Sequence, residues 1–309
     1  MPLTTPDSRV VSWANVPVDA SSPHYGLSLA GGTFGFTFLA FCLSLGIERL
    51  RHGFDGAQEL EDELGLVVAG LTPHLPHRTA SGRRLVAADD MSPMRELALT
   101  VRAFAHTPGR NSTNRVVLVT SSVAGEGKST AALSLARNVA NGGQHCLLID
   151  ADFRNPSLHI SLGVPATPGL VELVHDGAAI DAVTRHVPNE RFDFLAAGRP
   201  AHEPLGHLTA EAFAQALVEL KRRYDVIVID SAPVLLASEG LVLVGCADLT
   251  LFLVKWRTTP REIARKAALL LTRCSAGPCL AVLSQVNHRR LRRNLPYSDK
   301  HYRKASPIP

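Results

Sequence analysis

The chemistry in this chain begins at a loop of small residues, Ser121 to Gly127, that closes on Lys128, Ser129 and Thr130. Gly125 and Gly127 leave room for successive backbone N–H groups to turn inward around phosphate oxygens, where a Cβ would obstruct them. Lys128 supplies a point charge for the terminal phosphates, and the Ser129 hydroxyl supplies a ligand for Mg2+. The segment Ala124, Gly125, Glu126, Gly127, Lys128, Ser129, Thr130 is therefore the candidate nucleotide-binding loop, of the Walker A kind. The apolar run Val116 to Val119 before it suits a strand buried on both faces, and the helix-favouring AALSLARNVAN after it points its positive end at the anion. A glycine-containing turn with no ligand is the bland alternative, and the order strand, loop, helix argues against it. One departure is Ser122, which stands where the first glycine of such loops is usual.

Three carboxylates are the next candidates. Asp150 ends the apolar run Cys146 to Asp150, Asp230 ends Val226 to Asp230, and Asp152 follows two residues after Asp150. In an open parallel sheet ligands sit outside the carboxyl ends of the strands, so Asp150 and Asp230 belong at the edge that carries the phosphate loop. Acids gathered there would order a hydrated Mg2+, which takes one or two carboxylates and keeps several waters, or would accept a proton from an attacking hydroxyl. A single Asp after a strand is often only a turn former. Three placed relative to one loop make a site.

The elements that must position these residues are legible as well. Further apolar strands are expected at Leu249 to Val254 and Leu280 to Val286, and a helix before Val226 carries Phe213, Leu217, Leu220 and Tyr224 on one face. Strands alternating with helices predict an α/β, doubly wound, mostly parallel sheet of the P-loop NTPase type. A helix is expected over Ser92 to Phe104, with Ser92 as N-cap and Pro93 in its first position. Gly56 to Pro73 reads as a short acidic helix followed by a small strand, and 72–91 as a linker rich in Pro, His and Arg.

Upstream, residues 1–24 are polar and broken by prolines, and residues 25–47 carry no charge over 23 positions. At about 1.5 Å per residue that run spans a hydrocarbon layer of about 30 Å, so one transmembrane helix is expected before the α/β domain. A cleaved signal peptide fits the long polar lead poorly, and a buried soluble helix fits the all-round apolar character poorly. Arg49, Arg51 and His52 follow the span against Arg9 and His24 before it, which puts the C-terminal side in the cytoplasm. Gly31 and Gly35 form a GxxxG, a weak signal because glycine is common in such spans. The expected organisation is an extracytoplasmic lead at 1–24, the span at 25–47, a juxtamembrane segment and linker at 48–91, a P-loop domain at 92–288 and a basic tail at 289–309.

The 309 residues are 46% apolar and 19% charged, enough for a sizeable core, and the net charge of +4 is modest. Its positive excess sits in the tail, where Arg289, Arg290, Arg292, Arg293, Lys300, Arg303 and Lys304 face Asp299 alone. Such a tail by itself suits nucleic acid, anionic lipid, an acidic partner or plain solvent. The span argues against a DNA-binding partitioning protein, and no nucleic-acid partner is expected. Five scattered cysteines lack the spacing of a disulfide framework or a zinc site.

The motifs together resemble the bacterial tyrosine kinases that control export of capsular and exopolysaccharides. TSSVAGEGKST is similar to their Walker A loop, LLIDADFRNPSLH to their Walker A' segment, VIVIDSAPV to their Walker B strand, and FLAAGRPAHEPLGHL to the loop and helix between the last two. The resemblance runs from Ser92 to Asn287, and LLIDADFRNPSLH is its most specific part, since related partitioning and cell-division ATPases share the P-loop but usually not this run. It implies ATP and Mg2+ as cofactors, with Lys128, Asp150, Asp152 and Asp230 as the catalytic set. Asp150 would lie near an incoming tyrosine hydroxyl, while Ser129, Asp152 and Asp230 would hold the metal. Asn287 would contact adenine, and Tyr297 and Tyr302 are the reduced counterpart of the family's C-terminal tyrosine cluster.

The span with ELEDELGLVVAGLTP resembles the last segment of a chain-length-determinant, or polysaccharide co-polymerase, module. That implies a separate co-polymerase subunit as partner, or a start site placed too late. The family's oligomerisation motif, a Glu with arginines three and six residues on, occurs here as Glu96, Leu99 and Arg102, so self-assembly is expected with its middle arginine lost.

Overall fold

The computed structural model describes residues 25–49, 53–73, 97–101, 115–200, 210–237 and 239–287. The chain divides into two compact units, Met1–Arg51 and His52–Pro309. In the first, the expected apolar helix is present as α1 (Tyr25–Arg49). Its side chains are described over 29–43, and all of them are exposed, including Phe34, Phe36, Phe38 and Phe41. That stretch is shorter than the ~20 residues a span needs. Among the described residues no helix is long and apolar enough to cross a membrane.

The second unit is built on one sheet of eight strands: β1 (Val68–Pro73), β2 (Arg115–Ser121), β3 (Cys146–Ala151), β4 (Thr184–His186), β5 (Asp193–Leu195), β6 (Val226–Ser231), β7 (Leu249–Lys255) and β8 (Cys279–Val286). Their order across the sheet is β1-β8-β7-β2-β6-β3-β5-β4. Every pairing is parallel except β4 with β5. The runs VVLV, LLI and VIVI suit this arrangement because strands covered on both faces have no solvent side on which to alternate.

Side chains nonetheless alternate between two cores. Val116 and Leu118 point to the face shared with α4 (Ala210–Lys221), α5 (Glu239–Cys246) and α6 (Arg261–Cys274), where Phe213, Leu217, Leu243 and Leu271 are buried. Val117 and Val119 point to the opposite face, where α3 (Lys128–Asn141) buries Ala132, Leu135 and Val139. A helix over 97–101 adds Leu97 and Val101 to that second core. It lies within the helix expected at Ser92 to Phe104, whose ends, with Glu96 and Arg102, fall outside the described residues. Tyr224 stands beyond the end of α4 but is buried in the same cluster as Phe213 and Leu217.

The segment before this core is part of the sheet. α2 (Ala57–Leu64) and β1 follow each other directly, and β1 adds an edge strand parallel to β8. Phe54 and Leu60 are buried completely, and the acids of α2 meet the first turns of α6 through Arg261–Glu59 and Arg265–Glu63 ion pairs. β4 and β5, three residues each and unforeseen in the sequence reading, close the other edge. The five cysteines are free thiols.

Candidate phosphate-transfer site

β2 ends in the loop and α3 begins at Lys128, so the loop leaves the sheet at the carboxyl end of a central strand. Gly125 and Gly127 have φ of 82° and 90°, a left-handed conformation that a side chain disfavours. Ser122 is not among the residues with positive φ, so its position has no conformational need of glycine and the departure costs the loop no strain. Lys128 sits in the first turn of α3, 7% exposed, and no acidic residue occupies that turn. A buried ammonium against the positive end of a helix dipole is an arrangement that an anion stabilises.

β6 lies between β2 and β3, and its register sets Asp230 opposite Asp150 on one side and Val119 on the other. Adjacent strands are about 4.8 Å apart, so two carboxylates are forced together in the sheet. Asp150 is fully buried and braced: Oδ1 accepts the Asp152 N–H at 3.2 Å, and Oδ2 accepts those of Ser157 and Leu158 at 3.1 Å each. Burial above all, with the Asp152 charge, raises its pKa to about 6 in spite of those three donors. Asp152 accepts the Asn155 N–H at 3.0 Å, which shapes the turn after β3.

Asp230 is different. It is 1% exposed, and neither of its carboxylate oxygens has a well-formed hydrogen bond, the Ser129 hydroxyl being the neighbour best placed to offer one. Burial and then the Asp150 carboxyl push its pKa well above the usual range, and the neighbouring Ser129 hydroxyl and Lys128 ammonium offset this only in part. An orphaned buried acid is costly and calls for a partner. The Ser129 hydroxyl, at 3.5 Å from that of Ser157, lies on the same side. Among the described residues no three His, Cys, Asp or Glu side chains converge as a metal centre. One hydroxyl and one or two carboxylates suit Mg2+, which takes its remaining ligands from water and phosphate, so the residues fit that ion.

Glu126 does not face outward. Its carboxylate is 1% exposed and turned into the protein, where it accepts the Val123 N–H at 2.9 Å, the Lys255 N–H at 3.2 Å and the Thr259 hydroxyl. Ala124 and Gly125 are the exposed residues at the loop's crest. Gln285, absent from the sequence reading, donates its Nε2 to the Gly125 carbonyl at 2.8 Å from the end of β8, with a left-handed φ of 55°. The available signal was a polar pair, Gln285 and Asn287, interrupting an apolar strand at its carboxyl end. Asn287 is exposed just beyond β8. Tyr297 and Tyr302 lie outside the described residues.

A family profile described as an AAA domain matches residues 114–254. The putative tyrosine-protein kinase EpsB of Ralstonia solanacearum is 28% identical over 267 residues, covering 82% of this chain and 36% of that protein. The succinoglycan biosynthesis transport protein ExoP of Rhizobium meliloti is 29% identical over 294 residues, covering 84% of this chain and 37% of that protein. The chain thus spans little more than a third of the length of these relatives. Among solved structures, the kinase domain of the Escherichia coli tyrosine kinase ETK superposes with a TM-score of 0.67 at 22% identity, covering 79% of this chain and 98% of that domain. That likeness is one of fold.

Proposed function

Because the chain belongs with the bacterial tyrosine kinases of exopolysaccharide biosynthesis, we propose that it is a membrane-anchored, ATP-dependent protein tyrosine kinase. It phosphorylates Tyr297 and Tyr302 of its own tail and regulates polysaccharide polymerisation or export with a co-polymerase partner. The observation that carries the reading is the pairing of Asp230 with Asp150 beside Lys128 and Ser129, with the buried Asp230 carboxylate short of well-formed hydrogen bonds.

The residues divide the work as follows. Main-chain N–H groups of the loop from Ala124 to Thr130 and the Lys128 ammonium hold the phosphates of ATP. Ser129 and Asp230, with Asp152, hold Mg2+, which when bound neutralises charge on the phosphates. Asp150 takes the proton of the tyrosine hydroxyl as the terminal phosphoryl group passes from ATP to the phenolic oxygen and ADP leaves. A carboxylate of pKa about 6 is still ionised at neutral pH and more basic than an ordinary one. Its burial means that the turn from Asp152 to Leu158 must lift before a hydroxyl reaches it. Asn287, exposed just beyond β8, is the residue that would contact the base.

Two further parts of the reading rest on other observations. The charge-free run 25–47 of α1, with its exposed apolar side chains, supports a membrane anchor, with the nucleotide domain in the cytoplasm. The exposed Leu99 stands where an arginine of the family's self-assembly motif would be, so homo-oligomers form more weakly than in its relatives.

The test is intact mass of the full chain, in detergent, after incubation with Mg-ATP, beside Lys128→Met and the double variant Tyr297→Phe/Tyr302→Phe. Phosphoryl gain that vanishes in both variants is expected. Release of inorganic phosphate with no gain on tyrosine would make the chain a regulatory ATPase instead.

A further inference from the structure

The carboxylate of Glu126 is buried inside the very loop that must receive a polyanion, and every partner it has is a donor. A negative charge beneath a phosphate site is a cost unless it does something else. Here it joins three pieces of chain. Oε2 accepts the Val123 N–H at 2.9 Å, within the loop. Oε1 accepts the N–H of Lys255, the last residue of β7, at 3.2 Å and the Thr259 hydroxyl from the turn that follows. The Thr259 oxygen in turn accepts the Lys255 N–H at 3.0 Å, so the turn is closed on itself by the same hydroxyl that reaches the loop. From β8, the Ser284 hydroxyl donates to the Glu126 carbonyl at 2.7 Å, and Gln285 reaches the Gly125 carbonyl. The main-chain carbonyls at 125 and 126 are thereby turned away toward β8.

We infer that Glu126 and Thr259 form a clamp that sets the shape of the phosphate loop before nucleotide arrives, with Thr259 a positioning residue that touches no phosphate. The physical case is preorganisation. Inward-turned N–H groups repel one another, and two left-handed glycines have more backbone freedom than any other residue, so a loop with no internal anchor would spread over many conformations. A buried carboxylate that satisfies several N–H and O–H donors at once restricts that spread, and it does so from the side away from the ligand. The Thr259 hydroxyl is the piece that extends the clamp across 133 positions of sequence.

The inference rests on the reading of the loop as a nucleotide site, so the experiment measures binding rather than phosphotransfer. Affinity of the full chain for a fluorescent ADP analogue with Mg2+ is compared among the unmodified chain, Thr259→Val, Thr259→Ser, Glu126→Gln and the double variant Glu126→Gln/Thr259→Val. Valine keeps the shape of threonine without its hydroxyl, and serine keeps the hydroxyl. We expect Thr259→Val to bind about tenfold more weakly, Thr259→Ser to bind nearly as the unmodified chain, and the double variant to be no worse than the weaker single one, all measured at a temperature where melting curves show each variant folded. Equal affinity of Thr259→Val and the unmodified chain, or independent addition of the two losses, would overturn the clamp. Absence of binding by the unmodified chain would instead remove the nucleotide reading, and the clamp with it.

Discussion

Asp230 concentrates the site's cost in one side chain. Its carboxylate and that of Asp150 are set side by side by strand register, so the folded chain keeps protons on both at pH values where an unfolded chain has released them. Stability conferred in this way is greatest in acid and declines as pH rises from about 4, the ordinary carboxylate value. For Asp150 the decline extends through about 6, and the raised pKa of Asp230 adds to it in the same direction. The nucleotide-free protein should therefore melt at a lower temperature at pH 7.5 than at pH 5. Asp230→Asn should raise the melting temperature at pH 7.5 and flatten the difference, while weakening Mg-nucleotide binding. A variant that melts no higher than the unmodified chain at pH 7.5 would show that the paired acids store no repulsion. A site that gives up stability for ligand affinity is common in binding proteins.

At the scale of elements, the segment from Gly53 to Pro73 does two jobs. β1 covers the edge of β8, which would otherwise present unpaired main-chain groups to other chains. The turn before α2 locks onto the turn after β7: the Trp256 Nε1 donates to the Asp55 carbonyl and the Arg257 N–H to that of Phe54, both at 3.0 Å. Gly53 is required there because a Cβ would lie 2.3 Å from the Arg257 carbonyl carbon. Phe54 is the apolar anchor, wholly buried and with the Arg261 guanidinium 5.8 Å from its ring centre. Phe54→Ala should cost about 3–5 kcal/mol in denaturant unfolding, the usual range for a buried phenylalanine. A loss under about 1 kcal/mol would mean that the segment is only laid against the domain.

For the whole molecule the open issue is where α1 resides. A helix that carries no charge over 25–47 and whose described side chains are all exposed, four phenylalanines among them, places a large apolar surface in whatever surrounds it. Burying such surface is worth roughly 25 cal/mol for each Å2, and a hydrocarbon layer takes up the whole circumference of a helix at once. The full chain expressed in bacteria should stay with the membrane fraction through a high-pH carbonate wash, with the nucleotide domain cleavable only by protease added to inverted vesicles. Recovery in the washed supernatant would show that α1 is covered by protein instead.

Much of the site was legible because its signals are local. The loop from Ser121 to Thr130 declares itself within ten residues, since glycine freedom, a lysine and a helix start must be contiguous to work. Asp150 and Asp230 declare themselves by ending apolar runs, which is a property of the strand alone. Their being neighbours is another matter, because β6 enters the sheet between β2 and β3 only through long-range pairing that no local pattern encodes. The same holds for Gly53 to Pro73, which by composition reads as a segment leading out of the membrane but whose strand completes the sheet. Glu126 is the sharpest case. By sequence it is one more residue of a phosphate loop, and only the approach of Lys255 at the end of β7 and Thr259 in the turn after it directs its carboxylate inward. Motif chemistry is determined over a few residues, because it depends on backbone conformation and residue type. Which motifs meet, and which side chains hold them in place, is decided by packing of strands far apart in the chain.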